Sequence, residues 1–321
     1  MAERIVIGVD IGGTTTAAGL VDQRLEVIDS VEQETVTLSQ EQLLNCLAGI
    51  ISGLASRSPA PVAAIGFGIP SMIDRAAGRA VMSVNIPLAD IDFVTYMTGR
   101  TGLPVFIDND ANVAALAEHR AGAGTGTRQM VMITVGTGIG GGLIIDGSVY
   151  RGAGGSAAEL GHMVIDVNGP ECPGACGNRG CFEAMASGTA LRRYALEAAG
   201  ADPGSALGRA VSEGSDVDGA LVSRLAREGD SASAAVMAKV GFYLGVGITS
   251  LVNIFNPEVF VVGGGVAQAG ELLLEPAVSH LRRTGLRPNR DTVRVVTASL
   301  GPRAGMLGAA CMALDESTPA D

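Results

Sequence analysis

One phrase occurs twice in this chain, and it limits the possible folds more than any other feature. An apolar strand from Ile5 to Val9 enters a polar glycine turn, Asp10 to Thr14. A second strand follows from Ala17 to Val21, and a third is expected near Leu25 to Ile28. From Met130 to Val135 another apolar, β-branched run enters a glycine turn, Gly136 to Gly142, which carries Thr137. It continues through Leu143 to Ile145 into an Asp146-Gly147 turn. The repeat distance, about 125 residues, is far too long for a solenoid, so the duplication predicts two homologous domains facing each other.

The segments around the repeats alternate strand and helix, which points to mixed α/β domains. An amphipathic stretch runs from Gln40 to Leu54, a strand from Val62 to Phe67, and a strand from Val105 to Ile107 leads into a helix from Ala111 to Ala121. A glycine- and cysteine-rich loop, Gly152 to Gly180, precedes a mostly helical region reaching Ser250. Within it, Asp, Ser and Gly punctuation from Ala199 to Ser233 suggests an exposed insert. Val259 to Val262 forms a last buried strand ending in Gly263-Gly264-Gly265. The helix from Ala304 to Leu314 is short and apolar enough to dock, and the last few residues are expected to fray.

With 321 residues, 47% of them hydrophobic, the chain can bury a large core and suits a soluble protein. The net charge of −11 leaves no electrostatic footprint for a nucleic-acid backbone, so small molecules are the expected partners. No basic stretch precedes an apolar run near the start, so no signal peptide is expected and the cytoplasm is the expected location. The uncharged run from Val240 to Pro257 holds three glycines and two asparagines, which favours a buried helix over a membrane span.

Glycines after a strand let backbone N–H groups approach a phosphate. Three turns qualify: Gly12-Gly13, Gly136 to Gly142, and Gly263 to Gly265. Tight turns explain single glycine pairs more often than ligands do, so the set matters more than any member. A Walker A loop is excluded, because the only lysine, Lys239, follows Ala238. Gly136, Gly138 and Gly141 satisfy G-x-G-x-x-G, but that dinucleotide motif must open a helix, whereas here a strand follows. Two facing turns would clamp a polyphosphate such as ATP, with Asp10 placed to hold Mg2+ on it or simply to cap its own turn.

Phosphoryl transfer to a hydroxyl needs a carboxylate at the acceptor, and Asp108-Asn109-Asp110 offers one where a buried strand meets a helix. Helix capping accounts for that triplet equally well. Further on, Glu159-Leu160-Gly161-His162 precedes Cys172, Cys176 and Cys181, with Glu183 close behind. One histidine and three cysteines complete a closed tetrahedral set, the pattern of structural zinc, against the plainer reading of buried free thiols.

The three glycine turns together resemble those of sugar kinases in the actin-like ATPase superfamily. The E-x-G-H run at Glu159, Gly161 and His162, with Cys176-Gly177-Asn178-Arg179-Gly180-Cys181-Phe182-Glu183, narrows the resemblance to the ROK family of sugar kinases and sugar-responsive repressors. The resemblance implies an α/β fold of two actin-like (ribonuclease H-like) domains with an interdomain cleft. It places them at residues 1–118 and 119–303, with a terminal helix at 304–316 docking on the first. It implies phosphorylation of a hexose, glucose foremost, at C6 by ATP. Alternatives are an N-acetylhexosamine, mannose or fructose as acceptor, or a non-catalytic sugar sensor; a repressor would need an added DNA-binding module for which no room is apparent before Asp10.

By the same resemblance Asp110 is the general base, and Gly68, Asn85, Asn109, Glu159, His162 and Glu183 lie on the sugar side. Asp10, Gly12, Gly13, Thr14, Thr15, Thr137, Gly138, Gly264 and Gly265 hold ATP and Mg2+, and His162, Cys172, Cys176 and Cys181 hold Zn2+. Three departures stand out: Thr15 where relatives often have lysine, Ser71 where a glycine is common, and three residues rather than one between Cys172 and Cys176. A homodimer or homotetramer is implied.

Overall fold

The computed structural model describes residues 4–174 and 176–317. The fraying expected of the last few residues lies outside that range. In chain order the elements begin β1 (Ile5–Ile11), β2 (Thr15–Asp22), β3 (Val27–Glu34), α1 (Gln40–Arg57), β4 (Val62–Ile69) and β5 (Ser71–Asp74). Then come β6 (Arg79–Ser83), β7 (Ala89–Asp92), α2 (Phe93–Thr101), β8 (Val105–Asn109) and α3 (Asp110–Ala121). The second repeat supplies β9 (Met130–Val135), β10 (Ile139–Ile145) and β11 (Ser148–Val149). After it lie α4 (Phe182–Ala186), α5 (Gly188–Ala201), α6 (Ala206–Ser212), α7 (Gly219–Arg227) and α8 (Ser231–Phe255). The chain closes with β12 (Val259–Gly263), α9 (Glu271–Thr284), α10 (Asn289–Thr292), β13 (Arg294–Thr297) and α11 (Ala304–Glu316).

The duplicated phrase becomes a duplicated sheet. One sheet has the order β3-β2-β1-β4-β8 and the other β11-β10-β9-β12-β13, while β5-β6-β7 form a small sheet of their own. In the first, β1 is antiparallel to β2 and parallel to β4, which is parallel to β8. In the second, β9, β12 and β13 run parallel. By contacts the chain divides into two units, Met1–Arg128 with Gly142–Ala158 and Ser299–Asp321, and Gln129–Gly141 with Glu159–Ala298. The division therefore changes unit several times along the chain, where the sequence suggested one change near 118 and a docked helix.

Within the first unit, strand alternation explains why β1 carries apolar residues on both of its faces. Ile5, Ile7, Val9 and Ile11 pack with Leu43, Leu47, Ile51 and Leu54 of α1 and with Phe67 and Phe93. Val6 faces the other way, toward Met306, Leu307 and Ala310 of α11 and Ala117 of α3. The helix α1 forms because its leucines and isoleucines fall at helical spacing and Ser39 caps it, its side chain accepting from the Gln42 N–H at 3.2 Å. Gly66 leaves room for α11 at close range: a side chain there would collide with the Ala309 carbonyl.

Three local expectations change, and the buried helix from Val240 is found as expected. Leu25 adopts a left-handed turn conformation (φ 66°), so the third strand starts at Val27. The glycines at 140–142 belong to β10 rather than to the turn, and a side chain at Gly142 would collide with Ala115 of α3. The insert between residues 199 and 233 is not simply exposed, since Leu207, Val217, Val222 and Leu225 are buried. The run from Val240 falls within α8, the one helix among the described residues long and apolar enough to cross a membrane; most of it is buried inside the fold.

Candidate active site

In the first unit, strand register does most of the assembly. Asp10 at the end of β1 pairs with Gly68 on β4, and Gly68 pairs with Asp108 on β8. The parallel strands therefore deliver their acidic residues at one end of the sheet, where α3 begins. A side chain at Gly68 would come within 2.6 Å of Val113 Cγ2, and the Asp10 carboxylate and Asp110 backbone lie just beyond. Glycine is thus required where the two acidic positions converge. Burial, and then the charge of Asp110, raise the Asp10 carboxyl to about 7.

The Asp108-Asn109-Asp110 triplet divides its labour. Asp108 is buried: its Oδ1 accepts from the Asn109 N–H (2.8 Å) and Asn112 Nδ2 (3.0 Å), and its Oδ2 pairs with Arg151 Nε at 2.6 Å. Asn109 is the N-cap of α3, accepting from the Ala111 N–H at 2.9 Å while its Nδ2 donates to the Ser71 carbonyl at 3.4 Å. Asp110 occupies the first helical position, half-buried. The Ala111 N–H is shared, donating also to Asp110 Oδ1 at 2.9 Å, so the Asp110 carboxylate is held against the first turn of α3. The Ser71 hydroxyl, turned inward, donates to the Met82 carbonyl at 2.9 Å and ties this junction to β6.

The first glycine turn is braced from behind. Gly12 N–H donates to the Thr15 carbonyl at 2.9 Å, so this amide serves the turn itself, contrary to its expected place on the phosphates. Thr35, absent from the sequence reading, donates its hydroxyl to the Gly12 carbonyl at 2.7 Å. Gly13, Thr14 and Thr15 remain exposed at the tip, with Asn85 packed beside Gly13.

In the second unit, the turn after β9 is closed by Gly136 N–H donating to the Gly138 carbonyl at 3.0 Å, and it opens into β10 rather than a helix. Thr137 projects from it, exposed, beside Thr189, whose hydroxyl donates to the Thr137 carbonyl at 2.8 Å. A cavity of about 490 Å³ is lined by Thr137, Thr189, Arg192, Asp216, Gly265 and Gln268 among others. Gly264 adopts φ 89° and lies so close to the Val135 backbone that no side chain fits. Of this cavity the sequence flagged Thr137 and Gly265; Thr189, Arg192, Asp216 and Gln268 reach it only through the fold.

The cysteine loop closes as expected. One donor atom each from His162, Cys172, Cys176 and Cys181 lie within 4.8 Å of one another. Cys172 Sγ is 3.5 Å from His162 Nδ1 and Cys176 Sγ is 3.5 Å from Cys181 Sγ. These spacings suit a tetrahedral zinc with bonds of about 2.0–2.3 Å. The lengthened loop thus keeps Cys172 in the set. Although burial opposes it, the Asn178 N–H and the neighbouring thiols pull Cys176 below the ordinary thiol value, as suits a metal-binding thiolate; burial pushes Cys172 and Cys181 up. His162 turns its Nε2 to Glu159 Oε2 at 4.0 Å. Glu183, nearly buried, accepts on Oε2 from the Ile139 N–H at 2.8 Å and lies against Gly138.

Two sheets of one plan, each with a glycine turn after its leading strand, define an actin-like, ribonuclease H-like α/β protein. The ROK family pattern matches residues 6–316, and the chain belongs to the ROK family. It is similar to a glucokinase from Streptomyces coelicolor, 36% identical over 96% of this chain and 97% of that one. It is also similar to a ROK family glucokinase from Streptomyces griseus solved in complex with glucose and AMPPNP. That structure has a TM-score of 0.85 and 36% identity, and the match covers 97% of this chain and 99% of the other. A xylose repressor from Bacillus spizizenii is 30% identical over 96% of this chain and 77% of the repressor.

Proposed function

We propose that this chain transfers the γ-phosphoryl group of ATP to the C6 hydroxyl of a hexose, with glucose the acceptor, and that it acts in the cytoplasm. The observation that carries this reading is the register bringing Asp10, Gly68 and the Asp110 junction to one end of the first sheet. The 36% identity to glucokinases over nearly the full length supports the acceptor.

Asp110 takes the C6 proton as that oxygen attacks the γ-phosphorus in line, while the bond from that phosphorus to the β–γ bridging oxygen breaks and ADP leaves. Asn109, Glu159, His162 and Glu183, with Gly68 and Asn85, orient the sugar through hydrogen bonds to its hydroxyls. Amides of Gly13, Thr14, Thr15, Thr137 and Gly138 cradle the phosphates, and Gly264 and Gly265 border the adenosine. When bound, Mg2+ at Asp10 neutralises phosphate charge, and Zn2+ on His162, Cys172, Cys176 and Cys181 fixes the loop carrying Glu159 and Glu183.

Replacing Asp110 tests the base. Asp110→Asn should keep glucose binding by calorimetry and lose ~10²-fold or more in kcat. Near-normal turnover would refute the assignment. The repressor likeness favours a second reading, a sugar-responsive regulator, in which glucose binds but ADP is never released. Family resemblance supports a homodimer or homotetramer, which sedimentation would distinguish.

A further inference from the structure

Arg151 lies on the loop after β11, with no motif of its own, yet its Nε sits 2.6 Å from Asp108 Oδ2. The Asp108 side chain is 2% exposed and that of Arg151 24%. A carboxylate so buried keeps its charge only with a partner and filled hydrogen-bond sites. Asp108 has both, because its other oxygen accepts from the Asn109 backbone and from Asn112 Nδ2. Those bonds pin the last strand residue and the first turn of α3 to one point. Arg75 also faces the pair and is itself paired with Glu316, so the guanidinium charge about Asp108 is balanced.

We propose that Arg151 is a positioning residue for the reaction: through Asp108 it holds the β8–α3 junction in the geometry that aims Asp110 and Asn109. The inference rests on the kinase reading above. Without the guanidinium, the buried carboxylate must move toward water or draw water in. Either change loosens its hold on Asn109, and Asp110 is the next residue along. None of the hydrogen bonds on Asp108 reaches the glycine turns proposed to hold ATP, so the loss should fall on kcat.

Four variants test it: Arg151→Gln, Asp108→Asn, the two combined, and the conservative Arg151→Lys. For Arg151→Gln a fall of ~10²-fold in kcat is expected, as for a displacement of about 1 Å, with KM for ATP within about twofold of wild type. Arg151→Lys should recover at least about tenfold, and the Arg151→Gln/Asp108→Asn double variant should be no worse than the poorer single, since both break one unit. Amide exchange at Ala111 and Asn112, whose N–H groups donate to the Asn109 cap, reads the same junction without turnover and should quicken about tenfold in Arg151→Gln. Unchanged exchange at those amides would overturn the proposal whatever the enzyme's activity. So would a fully active Arg151→Gln enzyme. A silent wild type with quickened exchange in the variant would instead count against the kinase reading while upholding the junction.

Discussion

Glu183 Oε2 accepts a hydrogen bond from the Ile139 N–H at 2.8 Å, joining the helix after the cysteine loop to the turn expected to hold phosphate. A residue assigned to the sugar by resemblance is thus also a brace for that turn. Glu183→Ala should therefore weaken ATP binding measured without sugar by roughly ten- to a hundredfold, the effect of a charge-assisted bond of roughly 1.5–3 kcal/mol. An unchanged ATP affinity would show that the brace has no energetic weight.

The His162, Cys172, Cys176 and Cys181 set should bind one zinc per chain, visible by elemental analysis. Stripping it with a chelator, and restoring Mg2+ before assay, should lower the melting temperature and raise the glucose KM by about tenfold or more, because a loosened loop no longer fixes its sugar-binding residues. A metal-free protein that melts and turns over normally would exclude zinc as the loop's organiser.

Asp10 carries a testable sign. Its folded value of about 7 lies above the ordinary 3.8, so the folded protein binds the extra proton between those values. The stability that proton brings is complete below about 3.8 and is lost as pH rises through about 7. Asp10→Asn has no charge to bury. Without ligands it should melt above wild type at pH 8, with the margin shrinking by pH 5, while kcat falls ~10²-fold for want of a magnesium ligand. A variant melting lower at pH 8 would contradict the assigned burial.

Gly66 is where α11 meets β4, and Gly66→Ala would drive a methyl into the Ala309 carbonyl. A destabilisation of roughly 1–3 kcal/mol is expected in denaturant melts. An unperturbed midpoint would mean that α11 docks less closely than described.

What the sequence disclosed follows from how local its signals are. Strand, turn and strand write themselves in consecutive residues, so both repeats and the tips at Gly13 and Thr137 were readable, as was the His162 to Cys181 set through its spacing. Glycine has two uses, however. At 140–142 it reads as turn chemistry, whereas Gly142 serves close packing against Ala115, a contact only the tertiary fold creates. Asp108 and Arg151 lie 43 residues apart, and nothing in the sequence joins them until the fold makes the pair. The same holds for Thr35 behind the first turn and for Arg192 and Asp216 in the cavity of the second unit.

The central claim is phosphoryl transfer to glucose, and a coupled ADP-release assay with Mg·ATP across glucose, mannose, fructose, N-acetylglucosamine and N-acetylmannosamine tests it most directly. The account predicts strong selectivity for glucose with the product phosphorylated at C6. Turnover confined to another sugar would contradict the acceptor, and no ADP release with any sugar, from a protein that still binds glucose, would contradict the kinase itself.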